Sequence, residues 1–144
     1  MLLDDTQVAI DELLAACQES VEHYADAASR IGDGALGELF DTIAEERRVD
    51  VERLAELVRA SGRLPRAPYA DRQELHQLVT HAKAALAADE TRVLLDDRIV
   101  DEGRVEELAA EVLRLEPDAD ARACVERIEA NAAAAKGRLA AAEG

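Results

Sequence analysis

The side chains of this chain that could do chemistry are many carboxylates, three histidines and two cysteines. Carboxylates and imidazoles hold paired iron ions in helix bundles, where two helices each supply a glutamate and the other two each supply a Glu-x-x-His pair. The histidines are His23, His76 and His81, and none of them follows a glutamate by three residues. The ligand set for such a centre is incomplete, so we expect no metal site and no cofactor.

The helical phase of each carboxylate decides whether it can face the interior of a bundle. With about 100° per residue, Glu22 and Glu45 point away from the apolar stripes of their helices and towards solvent. Glu102 lies on the stripe of its helix and faces inward, with Asp101 on its flank. Glu102 is therefore the best single candidate for a metal ligand.

Arginines share these inward positions. Arg47 interrupts the apolar stripe of its helix with Asp50 on its flank, and Arg98 lies four residues before Glu102. Buried charges need partners, and the forked donors of arginine match a carboxylate. We predict that these four residues form a structural polar cluster at the centre of the fold, where two guanidinium groups repel a divalent cation. The alternatives are that the side chains only reach the rim, or that a real metal site exists.

Helices must position these residues, because apolar side chains recur at spacings of three and four along most of the chain. Alanine and leucine supply most of the apolar residues, and glycine and proline are few. Capping residues, glycines and prolines indicate where each helix begins and ends. The predicted helices span residues 6–31, 34–61, 72–87, 90–115 and 118–141.

Connection lengths predict how these helices pack. Short turns join the first two helices and the last two helices into antiparallel hairpins, and the segment with the short third helix connects the hairpins. We therefore predict one all-α domain over residues 1–144, a ferritin-like antiparallel four-helix bundle with a short extra helix in the crossover between two helical hairpins.

The net charge and the composition limit the classes of partner that the protein can bind. The chain has 17 basic and 32 acidic residues, a net charge of −15, which repels phosphate backbones and anionic lipid, so we expect no nucleic acid and no membrane partner. No leader pattern and no long apolar run occurs, so we expect a cytoplasmic protein with reduced Cys17 and Cys124. Small residues from Ala130 to Ala135 allow close helix approach, and we expect a homo-oligomer such as a dimer.

Several segments resemble a bacterial ferritin-like family of unknown function. Residues 17–24, with a cysteine, acids and an aromatic, are similar to its first helix, and residues 36–54 are similar to its second. Residues 76–86 resemble its short third helix, although Val79 stands where the family usually has tryptophan, and Glu102 matches a glutamate of its fourth helix. The resemblance implies the bundle fold and no established activity.

No nucleophile elbow, phosphate-binding glycine loop or Cys-x-x-Cys pair occurs, so we predict no catalytic residue. We predict a non-enzymatic structural or interaction module that lacks a complete di-iron site. The alternative is a carboxylate-rich bundle that binds iron or manganese, and it depends on fold analogy and on Glu102. A third hypothesis is a carrier that holds an apolar small molecule between the helices, but no feature of the sequence favours it.

Overall fold

The structure, a computed structural model, describes residues 3–65 and 88–143. This part of the chain is helical and contains no strand, which confirms the prediction of an all-α fold. The four helices are α1 (Asp5–Ile31), α2 (Ala35–Ala60), α3 (Ala88–Arg114) and α4 (Ala119–Glu143). The predicted helix at 72–87, with His76 and His81, lies outside the described residues.

Polar side chains explain where α1 and α4 begin. The carboxylate of Asp4 accepts a hydrogen bond from the Gln7 amide at 2.7 Å, and the Gln7 side chain accepts one from the Asp4 amide at 3.0 Å. This reciprocal pair is a capping box. At α4, Asp118 Oδ1 accepts from the amide of Ala121 at 2.9 Å. Both helices therefore begin where an aspartate can satisfy an amide that lacks an intrahelical partner.

The four helices form a bundle in which each helix has two neighbours. Helix α1 packs against α2 and α3, and α4 packs against the same two helices. The other two pairings, α1 with α4 and α2 with α3, lie across the diagonals, where no two described Cα atoms come within 8 Å. The described helices are therefore arranged as a four-helix bundle.

Two apolar clusters fill the bundle, one towards each end. The first includes Leu13, Leu54, Val112 and Val125, from the early half of α1, the late halves of α2 and α3, and the early half of α4. The second joins the opposite halves of the same helices and includes Tyr24, Phe40, Leu94 and Leu139. Because early halves pack against late halves in this way, every neighbouring pair of helices is antiparallel.

Candidate functional site

A polar layer lies between the two apolar clusters. Its charged members are Arg47 and Asp50 of α2 and Arg98 and Glu102 of α3, and these are the buried charged residues of the part that the structure describes. The exposed fractions are 2% for Arg47, 1% for Asp50, 8% for Arg98 and 0% for Glu102. A charge that is so buried is retained only when other groups compensate it, so the partners of each one define the site.

Glu102 is the central acceptor of this layer. Its Oε2 accepts a hydrogen bond from the hydroxyl of Tyr24 at 2.5 Å, and its Oε1 accepts one from Nη2 of Arg47 at 2.5 Å. Hydrogen bonds to an ionised carboxylate are short and strong. Since Arg47 lies on α2 and Glu102 on α3, this ion pair crosses a diagonal of the bundle and joins two hairpins.

Arg47 extends the contacts to two further side chains. Its Nη1 donates to Ser20 Oγ at 3.0 Å, and its Nε lies 3.8 Å from Oδ2 of Asp50. Burial by itself would lower the pKa of Arg47, but the charge and the hydrogen bond of Glu102, together with other neighbouring groups, outweigh burial and hold this pKa above its usual value. Arg47 therefore stays charged in the interior.

Tyr24 connects the carboxylate to an aromatic and a cation. Burial, reinforced by the neighbouring Glu102 carboxylate, raises the pKa of Tyr24 above its usual value, so the hydroxyl stays protonated and donates. The ring packs against Phe40 with centroids 5.8 Å apart, and the guanidinium carbon of Arg98 lies 5.3 Å from the ring centroid. The latter distance is that of a cation–π contact.

The ion pair of Arg98 is not with Glu102, four residues on, but with Asp101. Nη1 of Arg98 donates to Oδ2 of Asp101 at 2.9 Å, and Nδ1 of His23 lies 3.9 Å from the same oxygen. Burial alone would raise the pKa of Asp101, but the neighbouring side chains of His23 and Arg98 outweigh burial and hold this pKa below its usual value. Asp101, on the flank of the stripe, therefore belongs to the charged network with Arg98.

Asp50 is the least compensated carboxylate of the layer. Nδ2 of Asn131 lies 3.2 Å from both of its oxygens, and the Nε of Arg47 is 3.8 Å away. Burial raises the pKa of Asp50, and the hydrogen bond from Asn131 and the charge of Arg47 offset this only in part. From the sequence, no role was assigned to Asn131. The signal that could have indicated one is that Asn131 is the single polar residue among the alanines of residues 130–135.

We expect Asp50→Asn to stabilise the protein at pH 7, because ionised Asp50 is disfavoured in the folded state. Its folded-state pKa is raised, so the wild type loses stability as the pH rises from the unfolded value through the folded one. The variant lacks that loss. Urea denaturation of both proteins between pH 3 and pH 7 should give a difference that grows with pH. A variant less stable than the wild type at pH 7 would mean that the Arg47 charge outweighs burial.

The two cysteines are free thiols. Burial raises the pKa of Cys17 to about 12, and burial with the nearby Asp50 carboxylate raises that of half-buried Cys124. Cys17 lies on α1 and Cys124 on α4, and no Cα atoms of these two helices come within 8 Å of each other. A disulfide needs Cα atoms within about 7 Å, so these thiols do not pair in this arrangement.

Glu22 and Glu45, predicted to point away from the apolar stripes of their helices, are not among the buried charged residues. Glu22 is half-buried, and Glu45 is exposed and paired with Arg48 on its own helix. Across residues 3–65 and 88–143, no group of three or more His, Cys, Asp or Glu side chains has the geometry to hold a metal ion. None of the helices described is both long enough and apolar enough to cross a membrane.

Fold and site together define a four-helix bundle with an ion network at its centre. The model of a family described as a domain of unknown function (DUF2383) matches residues 5–115 of the 144, and the chain belongs to this family. The matched stretch contains Tyr24, Arg47 and Glu102, whereas Asn131 on α4 lies beyond it. Neither a curated protein nor a solved structure matches the chain.

Proposed function

We propose that the protein is a ferritin-like bundle that acts as a non-enzymatic structural or interaction module, with its own ion pairs at the centre. The observation that carries this proposal is the pair between Nη2 of Arg47 and Oε1 of Glu102, 2.5 Å apart and at most 2% exposed. A fixed cation of the protein thus neutralises the central carboxylate, as a bound cation would in a metal-carrying bundle.

Helix directions support the ferritin-like connectivity. The start of α2 and the start of α3 share one apolar cluster, which lies towards one end of the bundle. The end of α2 and the start of α3 are therefore at opposite ends, about 39 Å apart along a helix of 26 residues at 1.5 Å each. One long crossover between two hairpins is the connectivity that ferritin-like folds use.

The donor set at the centre fits a di-iron site poorly. Both oxygens of Glu102 already accept a hydrogen bond, one of them from a guanidinium group that would repel a metal cation. Glu22 and Glu45 lie on half-buried and exposed positions, and neither is followed by histidine three residues on. We therefore propose that the centre specifies structure.

That structural role is to fix how the two hairpins pack. Tyr24 of the first hairpin donates directly to Glu102 of the second, and Arg47 connects Ser20 with the same carboxylate. Asp50 of the first hairpin meets Asn131 of the second. Misaligned hairpins would leave these buried groups unpaired, at a cost of about 1–3 kcal/mol for each group. Buried polar contacts of this kind can select one register at some expense in stability.

We further propose that copies of this cytoplasmic protein associate through the outer face of α4. That face is formed by small exposed residues, which let a second helix approach closely: Ala123, Ala130, Ala133, Ala134, Gly137 and Ala141.

Metal analysis tests the role of the centre. After incubation with Fe(II) or Mn(II) and desalting, we expect no stoichiometric metal in the wild type, and the same result for Glu102→Gln and for the exposed control Glu107→Gln. A stoichiometric metal that is lost in Glu102→Gln but kept in Glu107→Gln would overturn the proposal and establish the iron or manganese alternative.

Light scattering on the wild-type protein tests the association through α4. It should give a mass above the 15.6 kDa of one chain, and a strict monomer would overturn the association.

A further inference from the structure

A polar pocket of about 170 Å³ opens between α1 and α3, next to the buried network. At a share of about 30 Å³ for each water, it has room for five or six non-hydrogen atoms. Ala27 and Leu94 give it an apolar patch, and the other lining residues carry ionisable groups: His23, Asp26 and Arg30 of α1 with Asp97 and Arg98 of α3.

The inner end of the pocket offers hydrogen-bond donors. Arg98 is only 8% exposed and uses Nη1 for Asp101 and its face for Tyr24. A guanidinium group has five N–H donors in total, so Arg98 keeps donors for a ligand. Nδ1 of His23 is also buried and has no hydrogen-bond partner among the described residues. The side chains of Arg98 and His23 therefore line a small volume that an acceptor could fill.

The mouth of the pocket carries charges of both signs. Arg30 and Asp97 are exposed, and neither forms an ion pair with another described residue. A simple anion would be attracted by Arg30 and Arg98 but repelled by Asp26 and Asp97. A simple cation would be attracted by the two aspartates and repelled by the two arginines. A molecule with both charges would satisfy both sides, because complementary charge placement is what gives such sites their selectivity.

We propose that this pocket binds a small zwitterion, an amino acid of five or six non-hydrogen atoms. Its carboxylate accepts from Arg98 and His23 at the inner end, and its ammonium group faces Asp97 at the mouth. The site is separate from the ion pair of Arg47 and goes beyond the structural role proposed above. Arg98 lies over the ring of Tyr24, so occupancy of the pocket reaches the central network.

Nuclear magnetic resonance of Tyr24 reports on this binding directly. The chain has two tyrosines and no tryptophan, so Tyr69→Phe leaves Tyr24 as the single tyrosine signal. Titration of the full-length variant with glycine, L-alanine or 3-aminopropanoate should shift the Tyr24 ring resonances in a saturable way. Acetate and methylammonium, which each carry one of the two charges, should bind at least about tenfold more weakly.

A substitution that removes the negative charge at the mouth separates this proposal from nonspecific ion binding. Asp97→Asn should weaken the amino acid about tenfold, through loss of a charge-assisted contact, whereas the exposed control Asp41→Asn should leave the affinity unchanged. Three results would each overturn the proposal: no saturation by any of the three amino acids, acetate binding as tightly as they do, or an Asp97→Asn variant that binds like the wild type.

Discussion

Replacing Arg47 by methionine should lower the free energy of unfolding by about 3–5 kcal/mol, because the substitution leaves buried carboxylates without their cation. Glu102 is 0% exposed and would keep only the hydroxyl of Tyr24 as a donor. Asp50 would lose its nearest guanidinium group, and the hydroxyl of Ser20 would lose a donor. Methionine fills most of the volume of arginine, so the loss measures charge more than packing. Urea denaturation followed by circular dichroism gives the value.

The neighbouring arginine provides the matched control. Arg48 pairs with Glu45 three residues earlier on the same helix, and both side chains are well exposed. Exposed pairs of this kind contribute about 0–1 kcal/mol, so Arg48→Met should cost less than about 1 kcal/mol. Similar losses for Arg47→Met and Arg48→Met would contradict the assignment of Arg47 to a buried ion pair.

A double-mutant cycle then separates the pair from its surroundings. Glu102→Leu alone leaves the Arg47 cation buried with Asp50 as its remaining ion partner at 3.8 Å, so it should also be strongly destabilising. The double variant Arg47→Met/Glu102→Leu should lose less than the sum of the two single losses, by about 1–3 kcal/mol. Simple additivity would show that the two side chains do not interact in solution.

Apolar spacing made much of the fold predictable. On α4 the stripe predicted from the sequence consists of residues that the structure buries: Ala121, Val125, Ile128, Ala132, Ala135 and Leu139. Helix ends were predictable because caps and glycines mark them locally, as the Asp4 capping box does. How one hairpin packs on the other depends on contacts between residues far apart in the chain, and no local pattern encodes those contacts.

For the charged residues of the polar layer, the sequence predicts the inward direction and not the partner. Helical phase places Arg47, Arg98 and Glu102 inward, since a stripe position is a property of one helix. The partner of each charge depends on the relative height of different helices, which phase does not give. Tyr24 of α1 and Arg47 of α2 reach Glu102 of α3 and donate to both of its oxygens, whereas Arg98 pairs with Asp101 on its own helix.

Gly37→Ala should destabilise the protein by about 1–3 kcal/mol, the usual cost of forcing atoms into a packed site. Gly37 is buried in the first turn of α2, and a Cβ atom there would collide with the carbonyl oxygen of Gly32. That oxygen belongs to the backbone of the turn between α1 and α2, where Gly32 and Gly34 have φ of +79° and +133°. The turn cannot yield as a flexible side chain would, so the first hairpin must shift.

A second glycine shows that this loss comes from the collision and not from glycine chemistry. Gly103 lies in the interior of α3, and a Cβ atom there meets nothing within 4 Å. Gly103→Ala should therefore stabilise the helix by about 0.5–1 kcal/mol, through the smaller entropy of the unfolded chain. Urea denaturation should give changes of opposite sign for the two variants. A stabilised Gly37→Ala variant would mean that the turn between α1 and α2 is looser than the structure places it, and the hairpin would then depend less on this contact than on its apolar stripes.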